Sequence, residues 1–359
     1  MWLRNTVGIG GKLWRRSLPV WPSIRKMNNK MKTTAGAGGV AIAGAAAVGV
    51  AASAFKNELI EMYLNLEKLD TNLFRAHPHQ LLSGLKTEGG PVYGGQVIGQ
   101  AMQAAAATVD EKFHPHSLYC AFIDHGKTAQ PILYNVDRIR DGRSYVNRNV
   151  KAIQSGKPIF TAEVSFHKEE PDAIKHQCVM PDVPPPEQLK DTKQLFDELV
   201  KNQNIAPERR RWWAWRRANV PDTFAMRPCD PEAYTHQKEC APHFAIWMKT
   251  NDLIGDDYRL HHCVAGFISD VSMITAAIIP HITQGFRLGM ATTLSHCIWI
   301  HRQRFRIDDW MLYETESTIA AGGRAMIFGR LWTRDGTLVM STAQEAVVRG
   351  PRETPTPKL

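Results

Sequence analysis

Asp270, Thr293 and Gln344 stand in the last third of a 359-residue chain, at places where the neighbouring sequence favours burial. A carboxylate accepts protons, and hydroxyl and amide groups steer them. Taken singly, each has an ordinary structural reading. Asp270 opens a helix-like stretch, 270–280, where free N–H groups and the helix dipole favour a carboxylate, so its plain role is an N-cap. Thr293 begins a strand, where a β-branched residue is expected. Gln344 interrupts the run Val339-Met340-Ser341-Thr342-Ala343 ahead of Val347-Val348, an odd place for an amide unless it has partners.

Other chemistries find little support. No G-x-S-x-G occurs, so the nucleophile elbow is absent. Gly8-Ile9-Gly10-Gly11-Lys12 fails the spacing of a phosphate loop. The histidine groupings, such as His77-Pro78-His79, His114-Pro115-His116 and His261-His262, give no zinc-binding spacing, so no metal is expected. Six scattered cysteines without C-x-x-C read as plain thiols in a reducing compartment. The run 209–217, with five Arg flanking three Trp, resembles single-strand binders in composition. Its plainer reading is a linker whose Trp rings cover a sheet and whose Arg stems lie along it.

The elements that must position the three polar residues show a doubled plan. Residues 57–70 read as a short helix or strand. Gly94-Gly95 reads as a tight turn feeding a buried helix over 97–109, with strands following at 117–123, 132–138, 144–154 and 159–167. A Pro-rich stretch, 169–186, and then a charged, helix-like segment to about Arg211 follow. The last third repeats helix and strands, with strands at 293–302, 310–319, 325–333 and 338–348. Ile132-Leu133-Tyr134 answers Met311-Leu312-Tyr313, and Gly156-Lys157-Pro158-Ile159-Phe160-Thr161 answers Gly336-Thr337-Leu338-Val339-Met340-Ser341. Internal similarity of this length points to duplication. The expected fold is α+β, with two tandem units, each a long helix wrapped by a curved antiparallel sheet. The expected divisions are 1–56, a basic leader with an Ala/Gly-rich segment; 57–170, the first unit; 171–225, a linker; 226–350, the second unit with the active site; and 351–359, a tail.

Charge is localised. Residues 1–57 carry nine basic side chains and no acid, so the +9 of the whole belongs to the leader and the body is neutral. That argues against nucleic-acid binding, which wants a basic stripe on the folded domain. The leader has the composition of a mitochondrial transit peptide. Residues 33–55 are long enough to cross a bilayer but mostly Ala and Gly, which weighs against membrane contact there. Pro357-Lys358-Leu359 is one residue from the peroxisomal Ser-Lys-Leu.

From about residue 57 to 349 the chain resembles the acyl-CoA thioesterase II family of double-hotdog enzymes. The matching segments are Tyr93-Gly94-Gly95-Gln96-Val97-Ile98-Gly99-Gln100, Asp141-Gly142-Arg143-Ser144 with Arg148, and Ala152-Ile153-Gln154-Ser155-Gly156-Lys157-Pro158-Ile159-Phe160. Further matches are Ile268-Ser269-Asp270, Ser295-His296-Cys297-Ile298-Trp299-Ile300-His301-Arg302 and Ser341-Thr342-Ala343-Gln344-Glu345. The resemblance implies a double hotdog, no cofactor, an acyl-CoA substrate and a catalytic Asp, Ser/Thr and Gln set falling on Asp270, Thr293 and Gln344. At Ser295 the chain departs from the family's usual Asp-His, leaving out a carboxylate expected close to the site.

The activity so implied is hydrolysis of acyl-CoA by a water that Asp270 activates and Thr293 and Gln344 orient, within lipid metabolism. Backbone N–H groups at Gly94 and Gly95 are the expected oxyanion donors. Arg143, Arg148, Arg302 and Arg304 are the candidate holders of the coenzyme A phosphates. A peroxisomal location is expected, with the mitochondrion as alternative, and a homo-oligomer. Two other readings on the same fold are a non-catalytic acyl-CoA-binding protein and a hydratase or dehydratase. The latter would want a His and Asp pair near the helix, which Thr and Gln partners oppose.

Overall fold

Alternation of apolar and polar residues, with glycine-marked hairpins between, builds a twelve-stranded sheet; the small-residue segments supply the helices that fill it. The computed structural model describes residues 59–83 and 90–351. The predicted leader, the Ala/Gly-rich run and the end of the tail lie outside the described residues.

A π-helical turn at Ile60–Leu64 precedes β1 (Glu67–Asp70) and β2 (Leu73–Ala76), followed by α1 (Gly94–Ala106), β3 (Phe113–Phe122), β4 (Ile132–Asp141), β5 (Tyr145–Gln154) and β6 (Lys157–Lys168). Then come α2 (Thr192–Lys201), α3 (Pro207–Ala218), β7 (Phe224–Pro228), α4 (Pro231–Tyr234) and β8 (His243–Thr250). The chain closes with α5 (Tyr258–Ser269), α6 (Met273–Ile282), β9 (Met290–Ile300), β10 (Met311–Ala321), β11 (Arg324–Thr333) and β12 (Leu338–Arg349).

Strand order is β1-β2-β4-β5-β6-β3-β9-β12-β11-β10-β8-β7, antiparallel throughout. Read outward from the β3–β9 seam, the two halves follow the same plan, β6-β5-β4-β2-β1 on one side and β12-β11-β10-β8-β7 on the other. Joining the halves edge to edge at the seam, Ser117↔Trp299 through Ala121↔Ser295, satisfies two strand edges that either half alone would expose. The first half's sheet packs on α1 and the second's on α6, while α5 packs along α1.

The α1–α5 approach depends on small residues. A Cβ at Gly95 would enter the van der Waals envelope of the Phe267 carbonyl oxygen, and one at Gly99 would lie 2.7 Å from Leu64 Cδ2. Across the same interface, a Cβ at Gly266 would lie 2.6 Å from Met102 Sδ. The buried amides of α1 are matched: Gln96 serves Leu82 N–H and the Tyr63 and Gln80 carbonyls, and Gln100 bonds the Tyr63 carbonyl and the Tyr134 hydroxyl. These partners explain why two glutamines stand in an otherwise apolar helix.

Several expectations need correcting. Gly94 and Gly95 are the first residues of α1 and not a turn before it. The helix expected over 270–280 is preceded by another, α5, and β7 and β8 were not foreseen. Helix was expected in the 171–225 segment, and it takes the form of α2 and α3, whose Phe196, Leu199 and Trp213 are buried. Trp213 packs on Phe196 of α2 and not on a sheet, and Arg216 lies over the Phe196, Trp212, Trp213 and Tyr234 rings. The longest apolar helical stretch among the described residues, Tyr258–Ile282, is α5 with α6 and is mostly buried in this core.

Candidate active site

The break between α5 and α6 places the carboxylate. Asp270 is the C-cap of α5 (φ −86°, ψ −11°), and Ser272 precedes α6. The N-cap reading is therefore wrong: the carboxylate sits at the negative end of α5, where the helix dipole disfavours its charge. What offsets this comes from elsewhere in the fold. The N-terminus of α1 abuts Asp270 so closely that a Cβ on Gly94 would lie 2.8 Å from Oδ2. The Thr293 hydroxyl donates to Asp270 Oδ1 at 3.0 Å. Desolvation still dominates, and it pushes the Asp270 carboxyl up to about 6 against the pull of the Thr293 hydroxyl and the Gly95 N–H. A carboxylate so poised is a serviceable base near neutrality.

Two tyrosines hold the α5 terminus in place. Tyr93, the N-cap of α1, donates its hydroxyl to the Phe267 carbonyl at 3.0 Å, and Tyr313 on β10 donates to the Ser269 carbonyl at 2.9 Å. Tyr313 is buried and Tyr93 half-buried at the cavity wall, and desolvation raises both phenols in pKa, so they remain neutral donors.

Thr293 and His296 are three residues apart on β9, yet both face inward. Strict alternation would forbid this. The register explains it: Ala346 pairs with Thr293 and Glu345 with Ser295, so β9 carries one extra residue, Leu294, in a bulge. Beyond the bulge His296, Ile298 and Ile300 point into the core, and Ser295, Cys297 and Trp299 take the outer face with Tyr119 and Ala121. Ser295 thus faces away from Asp270, and the carboxylate missing at this position is missing from the other side of the sheet.

Gln344 on β12 is 1% exposed. Its Nε2 donates to Thr293 Oγ1 at 3.1 Å, and its Oε1 lies 2.8 Å from His296 Nδ1. Its place in an apolar strand is accounted for by those two partners. Asp270 and Thr293 line a cavity of about 820 Å³, whereas Gln344 lies behind Thr293 and is not part of the wall. The walls are otherwise largely apolar, with Val97, Phe122, Ile159, Phe160, Ile274 and Met290 among them; Gly94 lies beside Asp270. The volume is in the range of small-molecule sites.

None of the four arginines expected to hold the coenzyme lines this cavity. Phe122↔Phe160 and Ala121↔Ser295 mark its end of the sheet, whereas Arg143 lies just before Tyr145↔His167 and Arg302 just after Ile300, at the other end. Arg148 is 1% exposed and committed to Thr108, Asp141 and the Arg140 and Asn147 carbonyls, so it is structural. Arg302 pairs with Asp172 at 3.2 Å and Arg304 with Glu169 at 3.1 Å. Sequence reasoning missed Arg349, the cavity's only Arg or Lys among the described residues, and His125, which also lines it. Nearness to the quoted motifs pointed to the wrong sheet end; the position of Arg349, five residues after Gln344, was the available signal. Among the described residues no group of three His, Cys, Asp or Glu side chains is clustered as a metal site.

Comparison with known proteins gives concordant matches. Residues 83–167 match the family profile of the acyl-CoA thioesterase N-terminal domain, and 196–348 that of the C-terminal domain. The chain is 38% identical to human acyl-coenzyme A thioesterase 8 over 296 residues, covering 82% of this chain and 90% of the relative. It is 31% identical over 298 residues to the peroxisomal acyl-coenzyme A thioester hydrolase 1 of Saccharomyces cerevisiae, covering 71% of this chain and 85% of that one. The crystal structure of an acyl-CoA thioesterase II from Mycobacterium marinum superimposes with a TM-score of 0.64 at 30% identity, covering 82% of this chain and all of the other.

Proposed function

From the premise that the chain belongs to the acyl-CoA thioesterase II family and is an acyl-CoA thioesterase, we propose that it hydrolyses its substrate by direct attack of a water that Asp270 deprotonates. The observation that carries this reading is the Asp270–Thr293–Gln344 chain of hydrogen bonds, opening at Asp270 and Thr293 onto an apolar-walled cavity. Water oxygen attacks the thioester carbonyl carbon as Asp270 takes its proton. Collapse of the tetrahedral oxyanion breaks the C–S bond, and Asp270 returns the proton to the departing sulfur. The products are a free acid and coenzyme A, a step of lipid metabolism.

Each other group has a task in this scheme. Thr293 holds Asp270 and shares its contact with the water, and Gln344 acts through Thr293. Backbone N–H groups at the start of α1, beside Gly94, face developing negative charge in the way helix starts do. The acyl chain lies along Val97, Phe122, Phe160 and Ile274. Arg349 meets the phosphates of coenzyme A, in place of Arg143, Arg148, Arg302 and Arg304. A peroxisomal location is the reading supported by the name of the yeast relative.

Arg349→Ala is expected to raise KM for an acyl-CoA about tenfold while leaving KM for the same acyl group on a phosphate-free pantetheine analogue unchanged. Equal effects on both thioesters would remove Arg349 from phosphate binding.

A further inference from the structure

Beyond Gln344 the hydrogen-bond chain continues inward. His296 Nδ1 lies 2.8 Å from Gln344 Oε1, and His296 Nε2 lies 2.9 Å from the Ser269 hydroxyl at the end of α5. Both residues are essentially sealed from solvent, with His296 at 0% and Ser269 at 1% exposure. They touch neither the cavity nor anything that reacts. Resting on the reading of Asp270 as base, we propose that His296, held by Ser269, is a positioning residue that sets which way the Gln344 amide faces and so directs the single Thr293 proton onto Asp270.

The number of protons decides the direction of the chain. Thr293 has one hydroxyl proton and two neighbours, Asp270 Oδ1 and the Gln344 amide. It donates to Asp270 without competition only if Gln344 presents NH2 to it, which leaves Gln344 Oε1 to accept from His296. Burial lowers the His296 pKa to about 4, so the ring is neutral and has one N–H. With that proton on Nδ1 the ring donates to Gln344, and Nε2 accepts from Ser269. With it on Nε2, every bond reverses: Gln344 turns its NH2 to His296 and its oxygen to Thr293, and Thr293 is drawn off Asp270.

Ser269 is built to serve either direction, because its hydroxyl is also 2.8 Å from the Gly266 carbonyl. Donating to His296 Nε2 supports the forward chain; donating to Gly266 frees its oxygen to accept from Nε2–H. The forward direction suits Asp270 as a carboxylate and the reversed one suits it as an acid, the two states through which a base passes in one turnover. The remaining titratable groups around Asp270 and His296 do not confuse the picture. Tyr93 capping α1, Tyr313 on β10, Cys120 on β3 and Cys297 on β9 are all raised in pKa by burial and are neutral near pH 7.

The test is the pH dependence of kcat/KM for palmitoyl-CoA in full-length wild type, His296→Leu, His296→Asn and Ser269→Ala, with folding checked by thermal melting. Loss of the Nδ1–H donor in His296→Leu should move the acid limb up by about one pH unit and lower kcat near neutrality about tenfold, with KM within about twofold. His296→Asn, whose amide N–H occupies the place of Nδ1–H, should restore the limb. Ser269→Ala should move it in the same direction as His296→Leu, and it decides the matter if His296→Leu does not fold. A purely structural role would lower activity in these variants without moving the limb, and that result overturns the inference. Asp270→Asn serves as control: if it is inactive while the limb of the folded variants stays put, only this inference fails, whereas an active Asp270→Asn removes the base and the inference together.

Discussion

Asp270 draws its properties from two helix ends that meet head to tail. It closes α5, whose dipole opposes its charge, and it faces the start of α1, whose N–H groups favour it. Burial, acting in the same direction as the α5 dipole, outweighs the α1 N–H groups and the Thr293 hydroxyl and raises the carboxyl to about 6, so kcat/KM should fall with unit slope as pH drops below about 6. Activity that stays level well below that pH would mean that another group takes the proton. The same shift has a consequence for stability. A carboxyl whose folded pKa is raised favours the fold most below its unfolded value near 3.8 and loses that contribution as pH climbs through about 6. Above that pH Asp270→Asn should therefore be more stable than wild type by roughly 1–3 kcal/mol while being the less active protein. A destabilised Asp270→Asn, measured by denaturant unfolding at neutral pH, would contradict this.

At the scale of elements, the bulge in β9 and the close approach of α1 to α5 decide what reaches the site. Because the bulge turns Ser295 to the outer face, Ser295→Asp is expected to leave kcat and KM within about twofold of wild type, as surface substitutions usually do. A large change in either constant would mean that the outer face communicates with Asp270. Gly95→Ala forces a methyl onto the Phe267 carbonyl and should cost about 1–3 kcal/mol in unfolding free energy, together with activity, because it pries the α1 start from Asp270. Eight of the twelve strands, β3 to β6 and β9 to β12, were legible in the sequence to within a few residues because alternation and hairpin glycines agree there. The bulge was not, since nothing in Thr293-Leu294-Ser295-His296 distinguishes an extra residue from a regular step. Nor was α5, whose apolar stripe is interrupted by His261, His262 and Gly266, all buried. That Asp270, Thr293 and Gln344 belong together is an expectation of the resemblance alone; their order in space, with Gln344 behind Thr293, depends on register.

For the whole molecule, duplication supplies two similar halves, and the site uses something from each. Gly94 and Phe122 come from the first and Asp270 and Thr293 from the second, and all four line one cavity. The arginines went astray at this scale, because only the sheet order reveals which end of a strand faces the cavity. Burial of histidines also sets the molecule's response to acid. His236 and His296 are lowered to about 4 and His262 to about 3, each chiefly by desolvation. Their stabilising contribution is complete above the unfolded value near 6.5 and is lost as pH falls towards 4, outweighing the opposite trend of Asp270 alone. Melting temperature should accordingly drop across that window, and His262→Gln, whose amide can still donate to the Gln303 carbonyl, should flatten the fall. Water activation by one carboxylate at the junction of the two halves is read out by the rate of free-thiol release from palmitoyl-CoA by folded Asp270→Asn near neutral pH. A loss on the order of 10² or more relative to wild type is expected; an undiminished rate would show that Asp270 is not the base.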